Sequence, residues 1–73
     1  MNIVILDAKT LGNDIDLSAL DRFGKVVRYE TTVPPETYER IRNATVVITN
    51  KVVISRLHMQ RCPLLKLICV PAT

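Results

Sequence analysis

Glycine occurs only twice in the 73 residues, at Gly12 and Gly24. Neither a G-x-G-x-x-G fingerprint nor a Walker loop can be written from two glycines, so the chain by itself is expected to bind neither NAD nor ATP. Long apolar runs are also missing. The longest, Ile3-Val4-Ile5-Leu6 and Leu67-Ile68-Cys69-Val70, are four residues each, against the roughly 20 that a spanning helix needs, and no membrane contact is expected. The amino terminus has neither the basic start nor the long apolar middle of a signal peptide, and the two cysteines, Cys62 and Cys69, make no disulfide framework. Both features point to a cytoplasmic protein. Acidic residues are absent from residue 40 onward: all seven lie between Asp7 and Glu39, while Arg40, Arg42, Lys51, Arg56, Arg61 and Lys66 follow without one. These bases are scattered singly among apolar residues instead of forming a patch, which argues against nucleic acid as a partner.

What remains is globular composition, 48% hydrophobic and 23% charged, in a chain long enough for one small domain that buries about 60% of its unfolded surface. Ile3-Val4-Ile5-Leu6, bounded by Asp7, reads as a strand covered on both faces, as in a parallel sheet. Asp16 is placed to cap a helix carrying Leu17, Leu20 and Phe23, with Gly24 as its left-handed stop. Val26-Val27-Arg28-Tyr29 reads as an edge strand. The Pro34-Pro35 pair, with Pro35 at the first helical position and Glu36 and Glu39 near the positive end of the dipole, starts a second helix whose Tyr38 and Ile41 face the core. Asn43 ends it. Thr45-Val46-Val47-Ile48 forms the third strand, Ser55 caps a short helix that Pro63 stops, and residues 65–70 form the fourth strand.

Strands alternating with helices over short connections require parallel pairing through right-handed crossovers. The expected fold is therefore α/β, a flavodoxin-like open parallel sheet of βαβαβαβ order, incomplete at four strands and three helices. Because three helices cover both faces of such a sheet poorly, apolar surface should be left for missing sequence or a second copy.

Ligands of open α/β sheets bind beyond the carboxyl ends of the strands, where strand order reverses. In a 2-1-3-4 order that crevice lies between the first and third strands. It brings Asp7-Ala8-Lys9-Thr10 near Thr49-Asn50-Lys51, with Ala72-Thr73 alongside, a set suited to a small polar or anionic ligand. The competing interpretation is a set of merely solvated loop ends. Other α/β chemistries lack their residues: the third strand ends in Thr49-Asn50 where a phosphoacceptor aspartate would stand, and Asp7-Ala8-Lys9-Thr10-Leu11-Gly12 is a poor phosphate loop. His58 and Cys62 share a helix face, but with Cys69 they supply three ligands where closed zinc sites take four. His58, Met59 and Cys62 read as the core side of the short helix, so neither metal binding nor a Cys–His nucleophile is expected.

Taken together, several segments resemble a known family: Ile3-Val4-Ile5-Leu6-Asp7, Thr10-Leu11-Gly12, Asp16-Leu17-Ser18, Phe23-Gly24, Pro34-Pro35-Glu36, Val47-Ile48-Thr49-Asn50-Lys51-Val52 and Leu65-Lys66-Leu67-Ile68. They are similar to the amino-terminal part of D-isomer-specific 2-hydroxyacid dehydrogenases, in particular the glycerate dehydrogenase or hydroxypyruvate reductase branch. The resemblance covers essentially the whole chain. It implies that residues 1–73 are the first portion of a substrate domain whose Rossmann NAD-binding domain lies outside this chain. The parent protein would reduce a small 2-keto acid such as hydroxypyruvate with NAD(H), using an arginine and an acid-paired histidine located after Thr73. Arg56 and His58 are not those residues.

By position, Thr49, Asn50 and Lys51 match the family's loop at the mouth of the substrate cleft, and Ala72 and Thr73 match the start of a loop whose amides bind the substrate carboxylate. Pro71 departs from the pattern, where a small residue is expected, and His58, Met59 and Cys62 replace larger aliphatics. The resulting expectation is a fragment inactive on its own, without catalytic, cofactor-binding or metal residues, that associates with copies of itself. A different class of function, a stand-alone α/β interaction module that assembles through its uncovered sheet face or edge, stands as the alternative.

Overall fold

Four consecutive apolar residues followed by an aspartate produce the central strand. β1 (Asn2–Ile5) buries Ile3, Val4 and Ile5, and Leu6 beyond it is also buried. The computed structural model describes residues 1–11 and 18–70. Asp16, Leu17 and the 71–73 end, to which roles were assigned above, lie outside them.

β2 (Lys25–Arg28), β3 (Val46–Ile48) and β4 (Leu67–Cys69) join β1 in one sheet of order β2-β1-β3-β4, every pair parallel. This is the flavodoxin-like order expected from sequence, and β2 is an edge strand as anticipated. The observed strands are shorter than the apolar segments that encode them: Tyr29 falls just past β2, and Leu65, Lys66 and Val70 lie outside β4. The cause is visible in the bonding. The Lys66 and Leu67 amides both turn to the Thr45 carbonyl, at 2.8 and 3.3 Å, so regular pairing starts only at Leu67.

α1 (Pro34–Ile41) begins one residue earlier than read from sequence, with both prolines in its first turn, where their missing N–H groups cost nothing. Glu36 reaches back to accept the Val33 amide at 3.1 Å. α2 (Arg56–Gln60) is capped by Ser55, whose hydroxyl accepts the His58 amide at 3.3 Å, while His58 Nδ1 accepts the Ser55 amide at 3.1 Å. The segment before β2 forms 3₁₀ helix over Ser18–Phe23 instead of an α-helix, and Phe23 is exposed, not core-facing. Of the three anticipated residues, Leu20 packs on the core and Leu17 lies outside the described residues. Ala8–Leu11 forms a second 3₁₀ turn.

The two faces of the sheet carry separate clusters. Val4, Leu6 and Val47 pack with Ile41 and Ala44 of the α1 side and with Cys62 beyond α2; Ile3, Ile5, Ala8 and Ile48 pack with Leu20 and Val26 on the other side. Each fully buried aliphatic contributes about 1.5–3 kcal/mol, so Ile5, Leu6, Ile41 and Val47 together outweigh any single polar contact in the chain. Met59, expected to face inward, is exposed because α2 is only five residues long and ends before it can wrap over the sheet. Leu57, Leu64, Leu67 and Val70 are exposed as well, so the uncovered apolar surface concentrates along α2 and the β4 edge. No helix among the described residues is long and apolar enough to cross a membrane.

Gly24 links the 3₁₀ helix to β2 with φ +148°, and a Cβ there would stand 2.1 Å from the Met1 carbonyl oxygen. That oxygen accepts the Lys25 amide at 3.0 Å, the contact that starts the β1–β2 ladder. Gly24→Ala should therefore destabilise the chain by about 1–3 kcal/mol, measured as a lower urea midpoint; an unchanged midpoint would show that the turn relaxes freely.

Candidate active site

Strand order reverses between β1 and β3, and the register of that pair sets what meets beyond their ends. Ile5 lies opposite Ile48, so Asp7 and Asn50, each two residues further, arrive side by side. The Leu6 amide still donates to the Ile48 carbonyl at 3.0 Å. In a continuing parallel ladder the Asn50 amide would turn to the Leu6 carbonyl. That carbonyl instead accepts the Thr32 hydroxyl at 2.6 Å, and the Asp7 carboxylate takes over as acceptor. Its Oδ1 receives the Asn50 amide at 2.9 Å and its Oδ2 the Lys51 amide at 2.6 Å.

Asp7 is buried, at 3% exposure, and no cation pairs with it among the described residues, whose ion pairs are Arg28–Glu30, Arg40–Glu36 and Arg42–Glu39. Two amides satisfy a buried carboxylate in place of a lysine or arginine. Thr49 closes the same turn: its hydroxyl donates to the Val52 carbonyl at 3.0 Å and accepts the Val52 amide at 3.1 Å. With their amides directed at Asp7, Asn50 and Lys51 are left with their side chains as the groups open to a ligand. The Asn50 amide nitrogen makes only a long contact, 3.5 Å, with the Thr10 carbonyl, and Lys51 is exposed.

A cleft of about 470 Å³ opens beside this turn. Asp7, Thr10 and Lys51 line it together with Pro34 and Ser55 at the N-terminal ends of α1 and α2 and the apolar Val52 and Val53. Thr31 and Thr32, also in its wall, are fastened by Arg40, which donates to the Thr31 carbonyl at 2.7 Å and to the Thr32 hydroxyl at 2.8 Å. The same guanidinium pairs with Glu36 at 2.9 Å and lies 4.0 Å over the Tyr29 ring. Thr37, on α1, is buried with its hydroxyl unpaired, the one such side-chain atom among the described residues.

The described part of these loops offers no free amides for a dinucleotide. Binding a pyrophosphate needs free amides at a strand end, but here the amides of Ala8, Lys9 and Thr10 donate to the carbonyls of Tyr29, Glu30 and Asp7, and those of Asn50 and Lys51 donate to Asp7. A small anion approaching Lys51 faces no such obstacle.

Over its full 73 residues the chain is 37% identical to a protein of Haemophilus influenzae named "Putative 2-hydroxyacid dehydrogenase", of which it covers 23%. It is 34% identical over 77 residues to a protein of Blautia hydrogenotrophica named "Hydroxypyruvate reductase", again along its whole length and over 24% of that protein. The chain is thus similar along its whole length to the amino acid sequences of proteins named 2-hydroxyacid dehydrogenase and hydroxypyruvate reductase. It spans about a quarter of the length of the curated relatives it matches. No family model matches it.

Of the anticipated site residues, Lys51 lines the cleft, Thr49 and Asn50 form the turn beside it and are not in its lining, and Ala72 and Thr73 lie outside the described residues. Asp7 was anticipated only as one of several ligand-facing groups; it is consumed internally instead. His58 lines the cleft and spends Nδ1 on capping its own helix. Cys62 is buried, and burial pushes its thiol above the ordinary value of 9.0, opposite to what a nucleophile needs. Thr32, Thr37 and Arg40 were not anticipated in the site. Only the spacing of Glu36 and Arg40 hinted at a local pair, and nothing in it pointed to the 31–32 loop.

Proposed function

We propose that this chain is the amino-terminal portion of the substrate domain of a cytoplasmic, NAD-dependent D-2-hydroxyacid dehydrogenase, one that reduces a small 2-keto acid such as hydroxypyruvate. Lys51 supplies positive charge to the substrate carboxylate, Asn50 a neutral hydrogen-bond donor and acceptor beside it, and Thr49 the rigid turn that carries both. Ala72 and Thr73 begin the loop that completes the carboxylate site. NAD(H) and the proton-transfer residues belong to parts of the protein outside these 73 residues, so the isolated chain is inactive. The observation that carries this reading is the Asn50-Lys51 turn, held at the β1–β3 crevice with its backbone donors already used and its one cation facing a cleft of about 470 Å³. Similarity to proteins named 2-hydroxyacid dehydrogenase and hydroxypyruvate reductase supports the reaction class.

In the full-length protein that carries this segment, Lys51→Ala should raise KM for hydroxypyruvate about tenfold while changing kcat less, the effect of losing one charged contact of about 1.4 kcal/mol made in both ground and transition states. An unchanged KM would remove Lys51 from the site. NADH oxidation by the 73-residue chain alone would overturn the division of labour.

The exposed apolar residues of α2 and β4, with the free edge of β4, support a second component of this reading. In the full-length protein this surface is covered by the remaining chain; alone, the segment associates with copies of itself. Sedimentation of the isolated chain should show oligomers. A monodisperse monomer with a cooperative melt would contradict this, and would weigh equally against a free-standing assembly module.

A further inference from the structure

We infer that Asp7 is a positioning residue for substrate binding, acting through the backbone of the Asn50-Lys51 turn; the inference rests on the substrate-site reading given above. A carboxylate at the end of a strand is ordinarily a ligand group or a solvated side chain. Asp7 is neither. It is buried, has no cationic partner among the described residues, and receives two successive amides, at 2.9 and 2.6 Å, from the adjacent strand's turn. The direction of those amides fixes the plane of both peptide units, and with it the exit direction of the Asn50 and Lys51 side chains.

The arrangement has a chemical consequence. Two adjacent free amides would make an anion-binding concavity of their own; Asp7 fills it, so an anionic substrate meets side chains and not the backbone at this turn. The negative charge that remains is spread over two short hydrogen bonds. Lys51 is thereby left as the positive group in the cleft lining. Thr49 secures the ends of the turn but not its middle, since its hydroxyl bonds only to Val52. Among the described residues, Asp7 accepts the amides of both peptides between them.

Replacing the carboxylate by an amide keeps its shape but puts one N–H donor against another, so Asp7→Asn should release one of the two peptides. Asp7→Glu keeps both acceptors and moves them by a methylene. In the full-length protein, with far-UV circular dichroism monitoring the fold, D7N should raise KM for hydroxypyruvate about tenfold and leave kcat within about threefold. D7E should fall between D7N and the parent. The D7N and K51A effects should also be non-additive, the double variant being no worse than about twofold beyond K51A, because a misdirected Lys51 and a missing one are equivalent. If K51A raises KM and D7N does not, or if the two effects multiply, the positioning role is overturned while the substrate site stands. If K51A itself has no effect, the site reading fails instead. Loss of the fold in both D7N and D7E would make Asp7 a purely structural residue and would also overturn the inference.

Discussion

The pair of hydrogen bonds between the Asp7 carboxylate and the amides of Asn50 and Lys51 joins the two halves of the chain at the place where the sheet's order reverses. Parallel strands β1 and β3 are separated by about 40 residues, and backbone pairing between them ends once the Leu6 carbonyl is diverted to Thr32. Without a substitute acceptor the turn after β3 would carry two part-buried donors with no protein partner. Asp7 supplies both acceptors from one side chain. The orientation of the Asn50 and Lys51 peptides follows from that contact.

The opposite wall of the cleft depends on a second polar anchor of different character. Arg40 spans three elements: it fastens the 31–32 loop, pairs with Glu36 within α1, and lies over Tyr29 at the end of β2. Its contacts are partly exposed and therefore individually weak. The buried aliphatics beneath, Leu6, Ile41 and Val47, hold α1 on the sheet, and Arg40 determines where the loop above them lies. Hydrophobic burial thus provides most of the stability, while a few directed contacts shape the cleft.

Strand count, parallel pairing, the order 2-1-3-4 and the meeting of the 7–10 and 49–51 loops were all legible in the sequence. Unbroken apolar tetrads, capping residues and short connections allow little else. Three features were not. The 3₁₀ form of Ser18–Phe23 and the exposure of Phe23 hinge on how far a short segment can reach over the sheet, which periodicity does not encode. Met59 has the spacing of a core residue, but α2 ends too soon to bury it. Asp7 was readable as a carboxylate near the cleft, yet its role depends on β-register, a property of two strands jointly. Lys51 could be read from its loop and the family resemblance because it needs no partner to be a free charge.

The most direct test of this account is a heteronuclear magnetic resonance measurement of through-hydrogen-bond coupling from the Asn50 and Lys51 amide nitrogens to the Asp7 carboxylate carbon, together with their exchange against solvent. Resolved couplings at both positions, with exchange slowed to the level of the Leu6 amide in the adjoining ladder, are the predicted result. No coupling, and exchange as rapid as in an open loop, would mean that Asp7 does not hold the turn and that the orientation of its peptides has another origin.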